Sequence, residues 1–152
     1  MNKKLMMLLL LIITSICTFA QKESIKNRLA KVNNDTMQYV KTYIVSQKEL
    51  YVQNPLDSLL SNLPTTVKRY VLLTSDKPGF YKGVYLILNK VNQSMLLERD
   101  KKEIYVTVEF ATTISREEIK RAGIQKLQST WDEPAKKVFE KLTVSDVGLV
   151  EN

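Results

Sequence analysis

The chain has few residues of the types that most enzymes use for covalent or metal chemistry. It has 152 residues, no histidine and a single cysteine, Cys17. Thiol catalysis, Ser-His-Asp triads, the usual zinc sites and haem held by histidine are therefore excluded from the residues after Cys17. The four glycines form no glycine-rich run, so no loop of the kind that cradles phosphates is expected. We predict no catalytic residue, no metal site and no cofactor.

The first twenty residues have the pattern of an export signal. Two lysines precede an apolar run over 5–13, and Thr18-Phe19-Ala20 places small residues at the two positions that signal peptidase reads. The run is too short for a membrane-spanning helix, so we predict cleavage before Gln21. Cys17 follows Ile16, whereas a lipid-modified cysteine normally follows a small residue. The short signal is bacterial in style, and we expect a periplasmic or extracellular protein.

Residues 21–152 have the length of one domain. Removing residues 1–20 leaves 132 residues, which is enough for one packed core. The removed segment has two lysines and no acid, so the net charge of +7 becomes +5. Basic residues occur as scattered pairs beside acids and form no stripe, so we predict no nucleic-acid partner. No second apolar run approaches membrane-spanning length, so we predict no membrane span after cleavage.

Alternation of apolar and polar residues predicts three strands. The clearest lies within 103–112, where Ile104, Val106, Val108 and Phe110 alternate with Tyr105, Thr107 and Glu109. A strand over 67–74 is predicted to have Val67, Val71 and Leu73 on one face and Lys68, Tyr70 and Leu72 on the other. A strand over 80–88 is predicted to have Val84, Leu86 and Leu88 on its apolar face. The connection 89–102 is too long for a tight hairpin.

Helices are predicted on both sides of these strands. Ser24 is a possible cap for a first helix, and residues 37–52 fit helix or strand, with helix favoured. Pro55 opens a short amphipathic helix over 55–62.

After the strands, Ser115 and Glu118 form a capping box for a helix that we predict to run to about Ser129. A further helix is predicted to begin at 132–134, and 143–150 is predicted to be an edge strand or a packed tail.

This order of elements predicts an α+β fold. We expect an antiparallel meander of three to four strands, packed on one face by helices. The alternative is a cystatin-like or NTF2-like curved sheet around a long N-terminal helix.

The sheet face away from the helices carries the candidate site. The predicted ligand-binding residues are Tyr70, Tyr85, Tyr105, Thr107 and Glu109. Tyrosine offers a large contact area, a hydroxyl group and little conformational freedom to lose. The N-terminal segment could instead cover this face. We expect a non-enzymatic binding or accessory protein of the bacterial envelope, whose partner is another protein or an envelope component.

The alternative function is a small carboxylate-dependent hydrolase that acts on an envelope or extracellular polymer. Glu109 is the first candidate acid, and Asp57 or Asp76 the second. Nothing in their spacing joins these acids, and an acid in such a position is most often a solvated or ion-paired surface residue.

Overall fold

One antiparallel sheet forms the framework of the fold. The computed structural model describes residues 23–88 and 103–150, so the predicted export signal and the connection 89–102 lie outside the described residues. The strands are β1 (Val67–Thr74), β2 (Phe80–Leu88), β3 (Ile104–Ser115), β4 (Gln128–Thr130) and β5 (Val144–Val150).

The strand order is β4-β1-β2-β3-β5, and every pair of neighbours is antiparallel. The first three strands pair in chain order, and the two later strands add at opposite edges. The sheet and its helices fit the predicted α+β class. The cystatin-like or NTF2-like alternative stays a prediction.

Short helical segments make up most of the remaining described chain. They are α1 (Ile25–Lys31), α2 (Thr36–Tyr39), a π-helical segment (Val40–Ile44), a 3-10 segment (Val45–Leu50), α3 (Leu56–Leu60), α4 (Arg116–Arg121) and α5 (Glu133–Phe139).

The N-terminal segment is helical, as favoured by its sequence, but it is broken into pieces. The Ser24 hydroxyl caps α1 by accepting a hydrogen bond from the amide of Asn27 at 3.2 Å. Asn33 and Asn34 then adopt φ values of 54° and 58°, which end the helix and redirect the chain. Residues 37–50 continue through α, π and 3-10 turns, so the strand alternative for this stretch is wrong.

The hydrophobic core lies between one face of the sheet and the helices. The sheet contributes Tyr70, Leu72, Val84, Leu86, Leu88, Ile104, Val106, Val108, Phe110 and Val147, none more than 6% exposed. The helices contribute Tyr39, Val40, Ile44, Leu56, Leu59, Ala135 and Phe139, all 0% exposed. Burying one large side chain of this kind stabilises the fold by roughly 1.5–3 kcal/mol. The faces predicted for β2 and β3 are confirmed.

The faces predicted for β1 are reversed over residues 70–73, whereas Val67, before a register shift, lies opposite Leu88 and packs against the core as predicted. Tyr70 lies opposite Leu86 and Leu72 lies opposite Val84 on β2, so both point into the core. Val71 and Leu73 lie on the other face and are partly exposed. β1 has apolar residues on both faces, so its alternation did not distinguish them. The register with β2 decides which face is buried.

The ladder around β2 is irregular at Lys82, and Gly83 makes this irregularity possible. The pairing of β2 shifts between Tyr81 and Gly83 with both of its neighbours, β3 and β1. A Cβ atom at Gly83 would lie 2.1 Å from the carbonyl oxygen of Val108 and 3.0 Å from the Cα of Glu109. The backbones approach so closely that only glycine fits this position.

The helix after β3 is much shorter than predicted. The capping box of Ser115 is present, but α4 ends after six residues and does not reach Ser129. Gly123, with φ of 87°, donates its amide to a carbonyl in the last turn, and the amide of Ile124 bonds to the carbonyl of Ile119 at 3.2 Å. This Schellman ending stops the helix and buries Ile124, and the chain then forms the edge strand β4.

The C-terminal segment is hydrogen-bonded to the part of the chain around the start of α3. Asp132 caps α5, where a helix was predicted to begin, and the last strand is the edge strand β5, which pairs with β3. Residues 140–144 also bond to residues 53–57, which lead into α3 and include Pro55 as its N-cap. The four backbone hydrogen bonds join Gln53 to Val144, Val144 to Asn54, Leu56 to Leu142 and Asp57 to Glu140, at 2.9, 2.9, 2.9 and 3.0 Å.

Candidate functional site

The sheet face that points away from the core is termed the open face. Strand register places these residues on it: Arg69, Val71, Leu73, Tyr85, Ile87, Tyr105, Thr107 and Glu109. All are partly exposed except Ile87, which is 1% exposed. The N-terminal segment places its buried residues in the core on the opposite face, and the open-face tyrosines are not buried beneath it. Four of the five predicted site residues therefore share one accessible surface.

Tyr85 and Tyr105 form the aromatic centre of the open face. Their ring centroids are 6.5 Å apart with an angle of 86° between the planes, an edge-to-face contact. The Tyr105 hydroxyl donates to Oε2 of Glu103 at 2.8 Å, and the other oxygen of Glu103 pairs with Arg69. The bond from Tyr105 and the charge of Arg69 lower the pKa of Glu103, and the same bond raises the pKa of Tyr105. These contacts hold the Tyr105 ring in place.

Thr107 and Glu109 continue the open face along β3. Thr107 lies opposite Tyr85 on one side and Gly148 on the other, so its β5 neighbour has no side chain. The Glu109 carboxylate pairs with Nζ of Lys82 at 2.7 Å, and this bond raises the pKa of Lys82. Glu109 is thus an ion-paired surface acid.

The structure does not pair Glu109 directly with either of the other candidate acids of the alternative function. Asp57 lies in α3 and Asp76 in the turn between β1 and β2, and neither is a strand partner of Glu109. The acid opposite Glu109 is Asp146 on β5. Lys48 contacts Asp146 at 2.7 Å and lowers its pKa. Within the described residues, no group of three or more His, Cys, Asp or Glu could hold a metal ion.

Tyr70 does not belong to the open face, and its predicted place beside Tyr85 is wrong. It is 0% exposed, with its ring 5.2 Å from Phe139 and 5.9 Å from Trp131 in edge contacts. Burial raises the pKa of its hydroxyl. Tyr70 is therefore a core residue, drawn inward by aromatic neighbours on α5 and just before it.

A second site, around α1, was missed by the sequence analysis. Arg28, at 9% exposure, is the only charged residue that is buried in the part of the chain that the structure describes. Its Nη2 lies 3.4 Å from Oδ1 of Asn62, and its guanidinium carbon lies 5.7 Å and 5.5 Å from the ring centroids of Tyr39 and Tyr43. Its Nε is buried and has no hydrogen-bond partner.

Arg28 is part of the wall of an open cleft of about 570 Å³. The other lining residues include Tyr43, Leu50, Tyr51, Asn54, Ser58 and Asn62. They come from the π-helical and 3-10 segments and from the region of α3, so the irregular N-terminal helices create this cleft. Short π-helical stretches are frequently found at functional sites.

The sequence contained a signal for this second site. Ile25, Leu29 and Val32 form the apolar stripe of α1, and Arg28 lies three residues after Ile25 and four before Val32. These spacings place Arg28 on the buried side of the helix. A cation within an apolar stripe is an indication of a buried charge that needs a partner.

Comparisons with protein-family models, curated proteins and solved structures found no match to this chain. Across residues 23–88 and 103–150, none of the helices is long and apolar enough to cross a membrane. The interpretation of both sites therefore depends on their own geometry.

Proposed function

We propose that this chain is a small exported, non-enzymatic binding or accessory protein of the bacterial envelope, and that it contacts another envelope protein through the open face. The observation that supports this most directly is the pair Tyr85 and Tyr105, partly exposed and held in an edge-to-face contact. Aromatic anchors of this kind dominate the energetics of many protein interfaces. The more specific fold that we propose is a β1–β2–β3 meander that presents this face and is backed by helices.

The charges of the open face favour a protein partner over a polyanionic glycan. The cation of this face, Arg69, is neutralised by Glu103, and Lys82 is neutralised by Glu109 of the face. A polyanion would need unpaired cations in a row. A protein surface needs an apolar centre with a polar rim, and Val71 and the tyrosines between these ion pairs have that arrangement.

Site-specific photo-cross-linking in intact cells tests the proposal. A photoreactive amino acid replaces Tyr85 or Tyr105 in turn, and Lys137 on α5 is the control position because it is exposed on a helix. We expect one envelope protein to be captured from both tyrosine positions and not from the control. Purified Tyr85→Ala and Tyr105→Ala variants should then bind that protein more weakly, with nearly unchanged denaturation midpoints. Equal capture from all three positions, or unaltered affinity, would contradict the proposal.

The second candidate function remains the carboxylate-dependent hydrolase, and one observation favours considering it. Glu109 and Asp146 are direct cross-strand neighbours, so the structure brings two acids together on one surface. Each is paired with a lysine, and Lys48 keeps the pKa of Asp146 low, which opposes the protonated state that a general acid needs. Turnover of envelope polymers that is lost in Glu109→Gln and Asp146→Asn would favour this alternative over the binding protein.

A further inference from the structure

The cleft beside α1 contains a positive charge that the fold leaves without a counter-charge. No carboxylate forms an ion pair with Arg28 among the residues that the structure describes, and its Nε has no acceptor. The 3.4 Å contact to Asn62 is long for a hydrogen bond. A guanidinium has five N–H donors, and burying it without partners is costly. The site is therefore electrostatically incomplete.

The groups around Arg28 do not supply the missing negative charge. Burial raises the pKa of the Tyr39 and Tyr51 hydroxyls, although the Arg28 charge opposes this, so both remain neutral phenols at neutral pH. Glu23 also lines the cleft, but its carboxylate pairs with Nζ of Lys31 at 2.8 Å. The rings of Tyr39 and Tyr43 stabilise the cation through their faces, yet they accept none of its N–H donors.

The cleft also contains an apolar surface close to the charge. Leu50 lines the cleft and, at 62% exposure, is the more exposed of the two large apolar side chains that are exposed in the described part of the chain. Tyr43 and Tyr51 add aromatic walls, and the hydroxyl of Tyr51 is fixed by a 3.3 Å bond to the carbonyl of Tyr43. A ligand that pairs with Arg28 would therefore also contact Leu50 and the two rings.

We propose that this cleft binds a small monocarboxylate with an apolar or aromatic group, its carboxylate on the Arg28 guanidinium and its apolar group against Leu50, Tyr43 and Tyr51. A guanidinium matches a carboxylate in a bidentate pair. A single cation with an acid at the rim suits one negative charge better than the two of a phosphate. The proposal goes beyond the open-face function and is independent of it, because the two sites share no residue.

Nuclear magnetic resonance titration of the mature protein tests the proposal with phenylacetate as the probe. The Arg28 Nε–H is shielded from solvent, so its side-chain resonance reports on the site. We expect saturable shifts at this resonance with phenylacetate. Phenylacetamide, which has the same shape and no charge, should bind about tenfold more weakly or worse, because charge-assisted hydrogen bonds to the guanidinium are lost. Inorganic phosphate should bind more weakly than phenylacetate.

Variants assign the binding to the cleft. Arg28→Met should abolish the saturable phenylacetate shifts of the backbone amides of Leu50 and Tyr51, which line the cleft and are kept in the variant, and it removes a buried unpaired charge, so the fold should survive. Leu50→Ala should weaken phenylacetate several-fold and leave acetate unaffected, because only the apolar contact is reduced. Leu127→Ala is the matched control, because Leu127 is the other exposed leucine, at 52%, and lies outside this cleft. It should leave both affinities unchanged.

Several results would overturn the inference. They are the absence of a saturable shift at Arg28, equal affinity for phenylacetate and phenylacetamide, phosphate binding tighter than phenylacetate, and equal effects of Leu50→Ala and Leu127→Ala. If Arg28→Met fails to fold, the leucine pair and the amide analogue decide the question on folded protein. None of these outcomes depends on cross-linking from the open face, so the two proposals succeed or fail separately.

Discussion

Replacing Gly83 with alanine should lower the free energy of unfolding much more than the same replacement at Gly148. The new Cβ would lie 2.1 Å from the carbonyl oxygen of Val108, whereas ordinary van der Waals contacts of a Cβ begin at 3.4 Å. The atoms must therefore separate by more than 1 Å. The obstacle is a backbone group of β3, held in the ladder between β2 and β5, so it cannot rotate away as a side chain would.

The cost follows from this forced separation. Overpacking typically costs about 1–3 kcal/mol, and each ladder hydrogen bond weakened by the shift adds about 1 kcal/mol. The lower backbone entropy of alanine returns roughly 0.5–1 kcal/mol. With one or two ladder bonds weakened, we expect Gly83→Ala to lower the free energy of unfolding by roughly 1–4 kcal/mol, a large part of the 5–15 kcal/mol that is typical of a domain.

Gly148→Ala is the matched control, because Gly148 also lies in the sheet without a positive φ. Its added Cβ would lie 3.7 Å from the Cβ of Thr107, an ordinary contact. We expect a change within about 1 kcal/mol, in the stabilising direction if the entropy gain dominates. Urea unfolding of both variants, followed by circular dichroism, compares midpoints and slopes. A Gly83→Ala midpoint equal to that of Gly148→Ala would refute the assigned register between β2 and β3.

Four further predictions concern stability, pH and processing. Phe139→Ala should destabilise the fold by about 3–5 kcal/mol, because it leaves a cavity in the centre of the core. Ser115→Ala should cost only about 1 kcal/mol, because it removes one helix cap. Denaturant midpoints that rank the two variants in reverse would contradict both expectations. Tyr105 and its neighbours lower the folded-state pKa of Glu103, so the ionised carboxylate stabilises the fold above its ordinary pKa, and that contribution is lost as the pH falls through the lowered value. Glu103→Gln should therefore flatten the acid side of the stability profile, and an unchanged slope below about pH 4.5 would count against it. Intact mass of the exported protein should correspond to a chain that begins at Gln21; a species that retains residues 1–20 would rule out the predicted cleavage.

The parts of the fold that local patterns determine were predictable. β3 has its aliphatic residues on only one face, and β2 has most of its aliphatic residues on one face with Ile87 on the other, so alternation identified both the strands and their buried sides. The cap of α4 was also readable, because Ser115 and Glu118 bond only within one helical turn. In each case the determining contacts lie within a few residues along the chain.

The sequence-based predictions were wrong or incomplete where the structure depends on contacts between residues far apart in the chain. The side of β1 that is buried depends on pairing with β2 and on the rings of Trp131 and Phe139, which surround Tyr70. The shared surface of Tyr85 and Tyr105 was predicted correctly, because β2 and β3 were read correctly. The Arg28 cleft requires α1, the π-helical segment and α3 to meet, and no local pattern encodes that meeting.

The hydrogen bonds between residues 53–57 and 140–144 have a consequence for how the chain acquires its structure. Asn54 and Val144 are ninety positions apart, so the chain must close a long loop before the N-terminal helices gain these backbone partners. During synthesis, these bonds cannot form until residues 140–144 have left the ribosome. A nascent chain that lacks its last dozen residues should therefore lack three of the four bonds, and residues 53–57 should be held less firmly until synthesis is complete.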